Sequence, residues 1–139
     1  MTDRPGPTWV GAVAGNAVAG NDVAGNDVAG NDLVQRVREI CLGLPGTTEK
    51  ISHGAPSFFV KRQYAAVRPD GHHDRAEPHL VCAAPPGVQA ELVDDEPERF
   101  FVPPYVGGRG WIGVLLTGDV DWDEIGHVLA EAHATIGGR

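Results

Sequence analysis

Phe100-Phe101-Val102-Pro103-Pro104-Tyr105-Val106-Gly107-Gly108-Arg109-Gly110-Trp111-Ile112-Gly113-Val114 packs aromatics, prolines, glycines and one arginine more densely than any other stretch of the chain. Val102 and Pro103 each precede a proline and are held extended, and Gly107, Gly108 and Gly110 permit a tight loop before a strand begins. The chain must therefore approach, turn and return in a set way. Such a loop is either a recognition surface built on Tyr105, Arg109 and Trp111 or the plug of a small core.

Working outward, residues 111–117 read as a strand, with Trp111, Gly113 and Leu115 on one face and Ile112, Val114 and Leu116 on the other. Both faces are apolar enough to be covered. After the Gly118-Asp119-Val120 turn, Asp121 and Glu124 have capping-box spacing. Ile125, Val128, Leu129, Ala132 and Ile136 then fall on one face of a helix. Upstream, Asp32 is placed to cap a helix carrying Leu33, Val37, Ile40, Cys41 and Leu44, which Pro45-Gly46 stops. Extended segments at 50–53, 57–60, 64–68 and 79–83 follow as an antiparallel meander. A helix over 88–95 separates them from the 100–114 block. The order α, three or four strands, α, one or two strands, α predicts an α+β fold in which helices cover an antiparallel sheet.

Before this domain, Val-Ala-Gly-Asn-Ala and then three copies of Val-Ala-Gly-Asn-Asp run from Val13 to Asp32. A five-residue period accumulates no apolar face on a helix or strand, and four copies are few for a solenoid. Residues 1–31 therefore read as a disordered low-complexity tail, with a flexible linker or β-helical stub as the alternative, and 32–139 as the single folded domain.

Composition narrows the function classes. Nineteen acidic residues against eleven basic ones give a net charge of −8, which opposes the sequence-independent attraction behind nucleic-acid binding. Cys41 and Cys82 sit among apolar neighbours without zinc or redox spacing and read as buried free thiols. No apolar run long enough for a membrane span and no secretory leader pattern is present, so the expected location is cytoplasmic.

Leu44-Pro45-Gly46-Thr47, Ser52-His53-Gly54-Ala55-Pro56-Ser57-Phe58-Phe59-Val60, Cys82-Ala83-Ala84-Pro85-Pro86-Gly87, the 100–113 block and Asp119-Val120-Asp121-Trp122-Asp123-Glu124 together resemble the MmcQ/YjbR family. The resemblance covers residues 33–137. It implies a compact α+β protein with a double-wing, CyaY-like arrangement and a DNA-binding role. Relatives often carry glycine in the turn of the first wing, where this chain has Lys61-Arg62-Gln63.

On that reading Lys61, Arg62 and Arg68 on the first hairpin and Arg109 beside Trp111 in the second loop would meet nucleic acid, basic groups on phosphates and aromatics on bases. The acidic run Asp94-Asp95-Glu96 with Glu98 argues against it, and Trp111 at a strand start fits half-buried core better than a stacking platform. The alternative is a groove between the wings, lined by His53, Tyr105 and Arg109, that takes a protein partner or a small anionic ligand. The bland reading of His53 fixes the Gly54-Ala55-Pro56 turn. His72-His73-Asp74 with Glu77 and His79 supplies donors for a metal but lacks ligand spacing, so neither a metal nor another cofactor is expected. No nucleophile elbow or phosphate-binding glycine motif appears, and the expectation is a non-catalytic protein.

Overall fold

The fold is taken from a computed structural model, which describes residues 28–72 and 75–138. Helix α1 (Val28–Leu42) leads into strands β1 (Thr48–Ser52), β2 (Ala55–Phe59), β3 (Gln63–Arg68) and β4 (His79–Cys82). Helix α2 (Val88–Asp95), strand β5 (Phe100–Phe101), a 3-10 turn (Gly107–Arg109), strand β6 (Ile112–Leu115) and helix α3 (Trp122–Gly137) complete the order. The strands form one antiparallel sheet ordered β1-β2-β3-β4-β6-β5. This is the expected α+β class, with four strands before α2 and two after.

The α1 start differs from expectation. Asp32 is not the cap: the helix begins at Val28, inside the last repeat copy, and Asp32 sits in its second turn 3.9 Å from Arg36. Extending a helix already anchored by packing adds a hydrogen bond per residue, and this outweighs the roughly 1 kcal/mol penalty of Gly30. Residues 1–27, which hold the rest of the expected tail, lie outside the described residues.

Helices α1 and α3 lie on one face of the sheet. Val37 and Cys41 of α1 and Ile125, Leu129 and Ala132 of α3 are buried there against Phe58, Val67, Leu80, Cys82, Ile112 and Val114. Alternation along each strand sends these side chains to the helices and the intervening ones to the opposite face. A bulge breaks that alternation once. Phe58 pairs with Ala65 and Phe59 with Gln63, which leaves Tyr64 as the extra residue on β3. Tyr64 consequently joins Ala65 on the helix side. Its hydroxyl lies 2.9 Å from Thr47 Oγ1 and donates to the Cys41 carbonyl, and its ring meets His133 edge-on at 5.3 Å. His133 in turn donates from Nε2 to the Pro45 carbonyl at 2.7 Å.

Polar ties close the ends. Arg38 grips both carboxylate oxygens of Glu49 at 2.8 and 2.9 Å, pinning α1 to the edge strand β1. Asp121 accepts from the Glu124 amide at 3.1 Å, the cap its spacing predicted, while the Glu124 carboxylate pairs with Arg99. Cys41 and Cys82 are buried free thiols, and burial pushes the Cys41 thiol up to about 12 and raises that of Cys82 as well. Neither is a nucleophile at neutral pH. Among the described residues no helix is long and apolar enough to cross a membrane.

Candidate functional site

The face turned away from the helices is built from small residues. Register sets Ser57, Ala66, Val81, Gly113 and Phe101 in one row across five strands. The Phe101 ring lies over Gly113, where a Cβ would run into its ring carbons. Gly113 is thus the strand glycine whose missing side chain lets another group approach. On the far side of that ring the Arg75 guanidinium stacks 4.0 Å from the centroid, and His79 meets the ring edge-on at 5.3 Å. The result is a layered stack of strand, ring and guanidinium.

Arg75 arrives there on the β3–β4 connection. His72 and Arg75 exchange backbone hydrogen bonds at 2.8 and 3.0 Å, closing a turn around Gly71, which has φ +82° and no room for a Cβ against the Arg75 and Ala76 backbone. Arg68, paired across the strands with His79, donates from Nη1 to the His53 carbonyl at 3.1 Å. His53 and Gly54 form a two-residue hairpin loop with φ of +52° and +79°. Two positive values are the signature of the primed turn that suits strand twist. The turn is thus His53-Gly54 rather than the expected Gly54-Ala55-Pro56, whose last two residues already belong to β2, and the His53 carbonyl steadies an arginine.

The opposite wall is the 100–114 block. Pro103 and Pro104 carry the chain outward to Tyr105, which is 81% exposed with φ +68°. The 3-10 turn then brings it back, ending on Gly110 at φ +84°. One side chain from α2 holds this loop: Gln89 Nε2 donates to the Gly107 carbonyl at 2.8 Å and the Trp111 carbonyl at 2.7 Å. Trp111 is only 6% exposed and precedes β6 rather than opening it.

Between the walls lies a groove of about 740 Å³, which at one end reaches Thr135 and Ile136 in the last turn of α3. Its described lining contains Arg62, Arg68, Arg75 and Arg109, the histidines His53, His72 and His79, and no carboxylate. In a chain of net charge −8 this is a local inversion of sign. His79, 3% exposed, donates from Nδ1 to the Glu77 carbonyl at 2.9 Å, leaving Nε2 as the acceptor of a neutral ring. Burial holds its pKa below the ordinary value, and the charges of Arg68 and Arg75 add to that lowering. Burial also lowers the pKa of Arg68, which stays charged at neutral pH.

Of the residues singled out from sequence, Arg62, Arg68, Arg109, Trp111, His53 and Tyr105 all line this groove. Lys61 does not line it; it is exposed at the β2–β3 hairpin tip. His73 and Asp74 of the histidine cluster lie outside the described residues, and among those described no group of three or more ligating side chains could hold a metal. Sequence reading missed Arg75, Phe101 and Gln89 as parts of the site. Only Gly113, a glycine inside an apolar strand, signalled that something approaches there.

A family model described as YjbR matches residues 42–135, from the last residue of α1 into the last turns of α3. The chain belongs to the YjbR family. Both walls of the groove and all six strands fall inside the matched region, whereas nearly all of α1 precedes it. The YjbR domain is similar in fold to the crystal structure of Deinococcus radiodurans protein DR2400, which carries family-model domain DUF419, at 21% sequence identity and a TM-score of 0.61 over 78% of each chain. No curated protein matches the sequence.

Proposed function

We propose that this YjbR domain is a non-catalytic binding protein whose ligand is a small anion held in the groove on the open face of the sheet, with the β2–β3 hairpin and the 100–114 loop as the two wings. The observation that carries this is the sign of the lining: four arginines and, among the described residues, no carboxylate. Arginine forks suit carboxylate and phosphate oxygens, and a partly enclosed groove strengthens such bonds relative to water. A volume near 740 Å³ matches a small-molecule site. Two free buried thiols suit a reducing compartment, and we place the protein in the cytoplasm, with no membrane role.

Nucleic acid is the second reading, favoured by Tyr105, an aromatic 81% exposed at the rim of the groove that Arg109 also lines. Such a pair is suited to stacking on an unpaired base, whereas the net charge of −8 repels a polyanion extending beyond the groove. Isothermal titration with pyrophosphate, a mononucleotide, a single-stranded oligonucleotide and a duplex, at low and physiological salt, separates the readings. Saturable one-to-one binding of the small anions, with the duplex no tighter than a mononucleotide, is expected. If only the oligonucleotides bind, and Lys61→Glu with Arg62→Glu abolishes it, the nucleic-acid reading replaces the first.

A further inference from the structure

The cations of the groove are not spread evenly along it. Arg68 and His79 are cross-strand partners, and Leu115 completes their row. Arg75, stacked on Phe101 beside His79, belongs to the same end. Four residues further back along β6 stands Trp111, preceded by Arg109, and Ala83 and Ala84 continue β4 beside it. Arg62 enters the groove from the hairpin before β3, next to Gln63, and so joins the Trp111 end. At roughly 3.3 Å per residue the two rows are about 13 Å apart. The floor between them is Ala66 and Val81, which offer no charge, while Gly113 in the same row lies under the Phe101 ring.

Resting on the anion-binding reading above, we infer that the ligand is an elongated dianion: one acidic group held by Arg68 and Arg75, the other by Arg109 and Arg62, and an uncharged spacer lying across Ala66 and Val81. A monoanion would leave one arginine pair hydrated and unused. A compact dianion would reach only one end. A spacer of flat or methylene character instead covers the small apolar side chains of the floor, adding burial to the two ion-pair anchors. Because the anchors are joined through one molecule, the second engages at high effective concentration, and affinity depends on whether the spacer spans the rows.

Carboxylates and phosphates share this chemistry, so the test runs both. The full chain is titrated calorimetrically with α,ω-dicarboxylates from succinate to tetradecanedioate, with the monocarboxylate of each length, and with α,ω-alkyl bisphosphates. The expected result is a maximum in affinity between octanedioate and dodecanedioate. At that length the diacid binds at least about tenfold tighter than its monoacid, a difference of about 1.4 kcal/mol. The tighter of the two diacid series identifies the acidic group. Arg109→Gln, an exposed position whose folding is checked by its melting curve, should bring the best diacid down to the level of the monoacid. If monoacids and diacids of equal length bind alike, or affinity simply climbs with chain length, the two-ended ligand is wrong and the anion-binding groove stands. If no acid of either kind binds, the anion-binding reading itself fails, and the two-ended ligand with it.

Discussion

Gly113→Ala is expected to lower the melting temperature by roughly 10 °C and to weaken ligand binding together. The added Cβ would enter the space of the Phe101 ring, which pairs across the strand with Gly113 and is only 7% exposed. Two effects compete. Alanine in a strand interior gains about 0.5–1 kcal/mol over glycine through chain entropy. Overpacking costs about 1–3 kcal/mol, and a collision with a ring that is itself covered sits at the upper end of that range. The net loss of about 2 kcal/mol corresponds to a shift of roughly 8–16 °C in a domain of this size. If the ring escapes outward the strain is relieved, but Arg75 then loses the surface on which it stacks at 4.0 Å. Either route displaces Arg75 at its end of the groove and leaves Arg68, held by the His53 carbonyl, in place. Gly108→Ala is the control, because a Cβ there meets nothing within 4 Å. Its melting temperature and binding should match the parent. A Gly113→Ala protein with parental stability and affinity would show that the Phe101–Arg75 stack has no bearing on the site.

Replacing Arg68 and Arg75 together by glutamine should weaken anion binding at least about a hundredfold, since each charge-assisted hydrogen bond contributes about 1.5–3 kcal/mol. The same pair governs pH dependence through His79. Its folded-state pKa is lowered, first by burial and then by the fields of Arg68 and Arg75, while its bond to the Glu77 carbonyl and the Glu77 charge act the other way. A histidine lowered in the folded state keeps its full contribution to stability above its unfolded pKa of 6.5 and loses it as pH falls toward the folded value. The free protein is therefore expected to lose stability below about pH 6.5. A bound anion reverses the local field and raises the His79 pKa, so binding should take up protons and tighten as pH falls through that window. In the double glutamine variant the arginine contribution is gone and the burial contribution remains, so the proton uptake shrinks without vanishing. His53 and His72 also line the groove, and His79→Gln separates their share: a pH-independent affinity in that variant assigns the linkage to His79. An unchanged affinity in the double glutamine variant would remove this end from the site.

The 100–114 block was legible because its signals are local. Prolines extend the chain, glycines turn it, and Tyr105, Arg109 and Trp111 are carried into place by backbone geometry that the residues themselves dictate. The succession of helices and strands along the chain was legible for a similar reason, through alternation and turn residues, whereas the place of β6 between β4 and β5 was not. Arg75 was not, because its position depends on a backbone bridge to His72 and on a ring contributed by a strand twenty-six residues further on. Gln89 reads as an exposed helix residue until the fold places two carbonyls of the loop against it. Tyr64 belongs to the helix side only because β3 carries one residue more than β2 across their bulge, and no pattern of period two foresees such an insertion. Asp32 shows the converse error: a good capping residue is overridden when the helix before it can extend. Trp111 is core by burial and also lines the groove.

The anion groove on the open sheet face is tested most directly by mapping where a small dianion binds. A nitrogen-15 NMR titration of the full chain with pyrophosphate should move the Trp111 indole and the Arg68, Arg75 and Arg109 side-chain resonances, along with the Val81 and Gly113 amides, and leave the helix-face residues Val37, Ile125 and Leu129 still. Shifts confined to other surfaces, or none at millimolar pyrophosphate and low salt, would contradict it.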